Sequence, residues 1–97
     1  MNFGKALEHL KRGGKVKRSG WNGKDMFIYL VNGQTVPIDN LRNEAADALE
    51  ATKLTNRGQS VSINSHIDMK AADGSIVVGW LASQTDMLAE DWEVVIK

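Results

Sequence analysis

The stretch "VSINSHIDMKAADGSIVVGWL", Val61 to Leu81, decides the fold class of this chain. Its first half alternates apolar and polar residues, which is typical of a β-strand with one buried face. Asp73-Gly74 then indicates a tight hairpin turn. The second half, "SIVVGWL", predicts a returning strand, and its more fully apolar character favours a central place in an antiparallel sheet. The alternating faces are Val61, Ile63, Ile67 and Met69 on one side, and Ser62, Asn64, His66, Asp68 and Lys70 on the other.

The flanking segments add a second helix, a short turn and a last strand. Downstream, "SQTDMLAEDW" predicts a turn or a single helical turn capped by Ser83 or Thr85, and "WEVVIK" predicts a final strand. Upstream, "PIDNLRNEAADALEATKLTNRG" predicts a helix that is capped by Asp39 or Asn40 and ends near Gly58. The residues that share one face of this helix are Leu41, Ala45, Ala48, Leu49 and Thr52.

The N-terminal segment "NFGKALEHLKRGG" predicts a short amphipathic helix that Asn2 can cap and that Gly13-Gly14 ends. Its buried face comprises Phe3, Ala6, Leu7 and Leu10. A short strand, a polar loop and a strand from Met26 to Val31 follow. We therefore predict an α+β fold: a small antiparallel β-sheet with an N-terminal helix and a second short helix packed on it. At 97 residues the chain suits a single domain over residues 1–97.

Composition excludes several classes of function. Lys plus Arg equals Asp plus Glu at 12 each, and this balance disfavours a protein that binds DNA or RNA duplexes. The chain has no cysteine, so a disulfide framework and a thiolate metal site are excluded. No apolar run is long enough to span a membrane, and the N-terminus lacks the apolar segment of a signal peptide. We expect a cytoplasmic protein.

Catalytic and metal sites find weak support in the sequence. Ser83 and Asp86 could form a triad only if the fold brought His66 to them. Asp86, Glu90 and Asp91 could bind a hard cation through oxygen, yet acids at this spacing usually form a solvated helix face. Asp91 could equally pair with a nearby cation, either Lys24 or Arg18. We predict no catalytic residue, no metal ligand and no cofactor.

The polar loop "SGWNGKD", Ser19 to Asp25, has the composition of an anion-binding loop. Gly20 and Gly23 let main-chain N–H groups approach an anion closely, and Arg18 and Lys24 supply positive charge. A phosphate-binding loop of the Walker type is excluded, because Arg18 stands where that motif requires its first glycine. Asn22-Gly23 could also be a simple hairpin turn.

The chain has three tryptophans, and we interpret them differently. Trp21 lies in the glycine-rich loop and Trp80 ends an apolar run, where an indole can stack on a purine or pack in the core. Trp92 lies between an acid pair and an apolar run, which favours core packing. Stacking rings, neutral hydrogen-bonding groups and one or two cations together suggest a nucleotide pocket.

Two long blocks closely resemble the second type of Thoeris anti-defence protein, a family of small phage and bacterial proteins. They are "MNFGKALEHLKRGGKVKRSGWNGKDMFIYLV" and "IDMKAADGSIVVGWLASQTDMLAEDWEVV". The most specific parts are "GWNGK" and "GWLASQTDMLAEDW". The resemblance implies a sponge that binds the cyclic nucleotide signal glycocyclic ADP-ribose in the host bacterial cytosol without cleaving it. It also implies a homotetramer with pockets shared between subunits and, as in some members, cyclic dinucleotides bound at a separate site.

Carried onto this chain, the resemblance implies a ligand-binding set drawn from both blocks. Its members are Phe3, Arg18, Trp21, Asn22, Gly23, Lys24, Trp80, Ser83, Gln84, Thr85 and Asp86. We expect an aromatic ring, Trp21 or Phe3, to stack on adenine, and Lys24 with Arg18 to face the pyrophosphate. The neutral polar side chains of Asn22, Ser83, Gln84 and Thr85 would form hydrogen bonds with base edges and ribose hydroxyls. Asp86 would accept hydrogen bonds from ribose hydroxyls or orient Lys24.

One residue departs from the family pattern, and two other functions stay open. Asp25 stands where many relatives have glycine, and its carboxylate could weaken phosphate binding or point away from the site. The first alternative function is a small oligomeric interaction module in which "DMLAEDW" is the contact. The second is a hydrolase of the signal that uses Asp86, Asp91 and His66.

Overall fold

A computed structural model describes residues 1–96, which divide into two compact units, residues 1–31 with 66–96 and residues 32–65. The chain has the predicted α+β class with mostly antiparallel pairing. The helices are α1 (Phe3–Lys11), α2 (Asn43–Ala48) and α3 (Gln84–Leu88), with 3-10 turns at Ile38–Asn40 and Leu54–Asn56. The strands are β1 (Val16–Arg18), β2 (Phe27–Val31), β3 (Gln34–Pro37), β4 (Ser60–Ile63), β5 (His66–Lys70), β6 (Ile76–Val77) and β7 (Trp92–Val94).

The first unit is built on a sheet in which the described strands follow the order β6-β5-β2-β1-β7, with every neighbouring pair antiparallel. Val16 pairs with Ile28, which pairs with Met69, so these three side chains share one face of the sheet. Helix α1 covers that face, and the buried core consists of Ala6, Leu10, Val16, Ile28, Met69 and Trp92.

Helix α1 forms where the sequence predicts it. The Asn2 side chain accepts a hydrogen bond from the Lys5 N–H at 2.9 Å, and this satisfies one free donor of the first turn. The helix ends at Lys11, and Gly13 just beyond it has a φ of 90°, a left-handed conformation that favours glycine. Across residues 1–96, the helices are all too short or too polar to cross a membrane.

The Asp73-Gly74 turn is confirmed, but the strand that follows it is neither long nor central. Strand β6 covers only two residues and lies at the edge of the sheet, and Val78 beyond it is 70% exposed. The reason is Gly79, which adopts a φ of 80° and donates its N–H to the Asp68 side chain at 3.0 Å. This contact interrupts the ladder, because a side chain replaces the main-chain partner on β5.

The predicted strand from Val61 to Lys70 is two strands that belong to different sheets. The chain leaves strand geometry at residues 64–65; β4 before this break pairs with β3, whereas β5 after it pairs with β2. The alternation predicts Asp68 on the polar face of the strand, and the structure shows that this side chain is only 5% exposed. Alternation alone cannot locate such a break, since the pattern continues through it.

The second unit contains the β3–β4 pair and a helix much shorter than the sequence predicts. Only residues 43–48 are α-helical, and none of them is buried. Asn43 and Glu50 adopt φ values of 53° and 52°, so left-handed residues lie at both ends of this short helix. An apolar face made mostly of alanine provides little burial to extend it.

Candidate functional site

A cavity of about 320 Å³ lies in the first unit, beside β1 and the loop that joins it to β2. Four predicted ligand-binding residues line it: Arg18, Trp21, Gly23 and Lys24. The other lining residues are Lys17, Ser19, Asp25, Met26 and Glu93. The cavity therefore combines an indole, several cations and a glycine-containing loop in one place.

Two glycines allow this loop to pack closely. A Cβ on Gly20 would lie 2.7 Å from Asp91 Oδ2, and one on Gly23 would lie 2.8 Å from the Ala72 Cβ and would clash with Met26. The Gly20 N–H donates to Asp91 Oδ2 at 2.8 Å. The anion that Gly20 approaches is therefore the chain's own carboxylate.

Arg18 is held between two carboxylates. Its Nε donates to Asp91 Oδ1 at 2.8 Å, and its Nη1 donates to Asp86 Oδ1 at 2.9 Å. The Arg18 side chain is only 15% exposed. This geometry confirms the alternative in which Asp91 pairs with Arg18. Because two carboxylates outweigh one guanidinium, the trio carries a net negative charge, and Lys24 and Lys17 are the lining cations outside it.

The same contacts shift the ionisation of all three groups. Hydrogen bonds to Asp91 and then to Asp86 raise the pKa of Arg18. The hydrogen bond from Arg18 lowers the pKa of Asp91. Burial acts to raise the pKa of Asp86, but the hydrogen bonds from Arg18, Trp21 and Ser83 outweigh it and lower that pKa. The trio is therefore fully charged at neutral pH.

Trp21 belongs to an aromatic cluster with Phe3, Trp80 and Trp92. Trp21 meets Trp92 edge-to-face at a centroid distance of 5.4 Å and Trp80 at 6.3 Å, and Phe3 lies 5.3 Å from Trp92. Trp92 is 2% exposed and its Nε1 donates to the Asp86 main-chain oxygen at 2.9 Å, which confirms the predicted core role. Trp21 is half-buried, so it both packs against the core and lines the cavity.

The third group of candidates lies around the start of α3. Ser83 Oγ accepts a hydrogen bond from the Asp86 N–H at 3.0 Å, and the Asp86 carboxylate accepts one from the Ser83 N–H at 3.4 Å. This reciprocal capping box confirms the predicted cap at Ser83. Gln84, Thr85 and the loop residue Asn22 are exposed, and their predicted ligand contacts stay predictions.

In the part of the chain that the structure describes, the two acids of the hydrolase alternative, Asp86 and Asp91, both bond to Arg18 and not to His66. His66 Nδ1 lies 2.7 Å from Asp68 Oδ1. The Gly79 N–H is the main cause that lowers the pKa of Asp68, and burial opposes it. Among the hydrogen bonds of residues 1–96, Ser83 is joined to Asp86 and not to His66. The geometry thus does not assemble the nucleophile and base of a triad.

Asp25 adopts a φ of 58°, a left-handed conformation that glycine accepts most readily. Its main-chain oxygen accepts a hydrogen bond from Lys70 Nζ at 3.0 Å, which holds this conformation. This backbone conformation gives a physical reason to expect glycine at position 25. The carboxylate also adds a negative charge to the lining of the cavity.

Lys17 lines the cavity but is absent from the ligand-binding set predicted from the sequence. Its Nζ lies 3.5 Å from Glu93 across the β1–β7 pair, and both residues line the cavity. The alternation of "KVKR" places Lys17 on the opposite face from the buried Val16, so this pattern could have identified it.

Comparison with known proteins gives two concordant matches. The sequence model of the Thoeris anti-defense 2-like domain matches residues 1–95. A protein of Bacillus phage SP01 named Thoeris anti-defense 2 is 41% identical over 98 residues, which cover 98% of this chain and 94% of that protein. Both matches include the loop that lines the cavity and the α3 region that contributes Asp86 to the Arg18 trio.

Proposed function

This chain belongs to the Thoeris anti-defense 2-like family, and we propose that it captures a cyclic ADP-ribose-type immune signal and sequesters it without cleavage. The observation that carries the proposal is the juxtaposition of Trp21 and Lys24 in the lining of one cavity. An indole offers a stacking surface for adenine, and an ammonium group attracts a pyrophosphate. Glycocyclic ADP-ribose carries both of these groups.

The neighbouring residues have different roles in this proposal. Phe3 and Trp80 belong to the aromatic cluster that supports Trp21. Lys17 joins Lys24 as a source of positive charge, while Arg18 is committed to Asp86 and Asp91. The exposed polar residues beside these elements bond base edges and ribose hydroxyls; they are Asn22, Ser83, Gln84 and Thr85.

Sequestration requires high affinity for the ligand rather than reactive groups. To compete with the effector, the protein needs a Kd near 1 nM, which corresponds to about −12 kcal/mol. In this proposal residues 1–97 act as one ligand-binding domain in the bacterial cytosol and block Thoeris-type defence. The active form is a homotetramer with pockets shared between subunits, and cyclic dinucleotides are a second ligand class.

Titration calorimetry of the purified protein with glycocyclic ADP-ribose tests the proposal. We expect saturable binding in the nanomolar range, with the number of sites per subunit given by the titration. A parallel titration with a cyclic dinucleotide tests the second ligand class. Absence of binding to both nucleotides would refute capture and leave the oligomeric interaction module as the better function.

A further inference from the structure

The Asp86 carboxylate joins three separate segments of the first unit. Its Oδ1 accepts hydrogen bonds from Arg18 Nη1 at 2.9 Å and from Trp21 Nε1 at 3.2 Å. Its Oδ2 accepts the Ser83 N–H at 3.4 Å. The side chain is only 13% exposed. One carboxylate therefore connects the end of β1, the loop of residues 19–26 between β1 and β2 (the cavity loop) and the start of α3.

The hydrogen bond to Trp21 supplies an orientation that packing alone does not. Trp80 and Trp92 contact Trp21 edge-to-face, and these packing contacts do not provide a hydrogen-bond acceptor for its N–H group. The Nε1–H bond to Asp86 fixes the position of the indole nitrogen and so restricts rotation about the Cα–Cβ and Cβ–Cγ bonds of Trp21. The charge on the acceptor strengthens this bond relative to one between neutral groups.

We propose that Asp86 is a positioning residue for Trp21 and holds the indole in the orientation that lines the cavity. The effect on ligand affinity rests on the proposed capture of a cyclic nucleotide. The effect on the indole does not rest on it, since the bond exists within the protein itself. Asp86 thus acts through Trp21 rather than by touching the ligand.

A purely structural role of Asp86 predicts different results, because Asp86 also belongs to the capping box of α3. Ser83→Ala is the matched control: it removes the hydroxyl that caps the helix but leaves the Asp86 carboxylate facing Trp21. Asp86→Ala removes both roles. Asp86→Asn keeps the shape of the side chain and removes its charge.

Indole N–H resonances in ¹H–¹⁵N NMR spectra test the positioning without any ligand. We expect Asp86→Ala to move the Trp21 resonance, assigned with Trp21→Phe, and to speed exchange of its proton at least about tenfold. The Trp92 resonance reports whether α3 is intact, since that indole donates to the Asp86 main-chain oxygen. Ser83→Ala should leave both resonances in place. An unchanged Trp21 resonance in the Asp86→Ala protein overturns the proposal. If α3 unfolds in that protein, an unchanged Trp21 resonance in the Asp86→Asn protein overturns it instead.

Affinity for glycocyclic ADP-ribose provides the second test. We expect Asp86→Ala to weaken Kd about tenfold or more. In a Trp21→Phe background, which lacks the Nε1–H, the Asp86→Ala effect should disappear. An equal loss in both backgrounds contradicts positioning through Trp21. If the wild-type protein does not bind the nucleotide, the proposed function fails, and the NMR result alone decides the positioning.

Discussion

Arg18 donates its Nε–H to Asp91 Oδ1 at 2.8 Å, and this ion pair connects residues 73 positions apart. It ties the last residue of β1 to the residue that precedes β7. Asp91 also accepts the Gly20 N–H, so the same carboxylate fixes the entrance of the cavity loop. The shape of the candidate site therefore depends on a charge pair within the protein.

The Asp91 ion pair predicts a loss of stability in acid. The pKa of Asp91 is lowered in the folded protein from its ordinary value of 3.8, so its contribution is fully present above that value. It is lost as pH falls through the lower folded pKa. Urea unfolding between pH 7 and pH 3 should show a smaller decline for Asp91→Asn than for the wild-type protein. The same pH dependence in both proteins would contradict a stabilising role of the pair.

Truncation of Trp92 should mainly lower stability, whereas truncation of Trp21 should mainly weaken nucleotide capture. Trp92→Ala removes a fully buried side chain and should lower the free energy of unfolding by about 3–5 kcal/mol. Trp21→Ala should cost less stability but weaken nucleotide capture at least about tenfold, since stacking on a base contributes about 1–3 kcal/mol. Chemical unfolding and calorimetric titration measure the two effects. Full capture by a folded Trp21→Ala protein would refute the stacking role.

Lys24 should contribute charge to binding, and Lys53 is its matched control. Lys24 lines the cavity, whereas Lys53 belongs to the second unit and pairs with Glu50 at 2.9 Å. Lys24→Ala should weaken binding of glycocyclic ADP-ribose and reduce its dependence on salt concentration, because one charge contact is removed. Titrations at two salt concentrations measure both effects. Equal affinities of the Lys24→Ala and Lys53→Ala proteins would argue against an anion at this cavity.

Asp25 should affect stability through its backbone and affinity through its charge. Asp25→Gly relieves a φ of 58° and should raise the free energy of unfolding by up to about 1 kcal/mol. Asp25→Asn removes only the charge, so both variants should bind an anionic nucleotide more tightly. Glu50→Gly relieves a similar φ of 52° in the second unit and controls for the backbone effect. A weaker affinity of the Asp25→Asn protein would mean that the carboxylate assists the ligand.

Local features of the fold could be predicted from the sequence. The α1 helix and the capping box of α3 depend on residues within one turn of each other, such as Asn2 with Lys5 and Ser83 with Asp86. The Asp73-Gly74 turn is equally local. Each of these features follows from a few neighbouring side chains, so a single sequence contains the necessary information.

Sheet order and the partners of the charged residues could not be predicted in the same way. The apolar run after Gly74 forms a two-residue edge strand, because Gly79 bonds to the Asp68 side chain on the neighbouring strand. Arg18 could have faced a ligand or Asp91, and only the three-dimensional arrangement selects Asp91. These outcomes depend on contacts between residues far apart in sequence, which periodicity does not encode.

Recovery of the ligand after capture tests the central claim most directly. The protein is incubated for a long period with excess glycocyclic ADP-ribose, separated from free nucleotide, denatured by heat, and the released material is analysed by chromatography. The proposed sequestration predicts intact ligand, released in a fixed ratio to the protein, with the excess nucleotide also unchanged. Conversion of the excess ligand to a product by a small amount of protein would contradict sequestration and establish an enzyme.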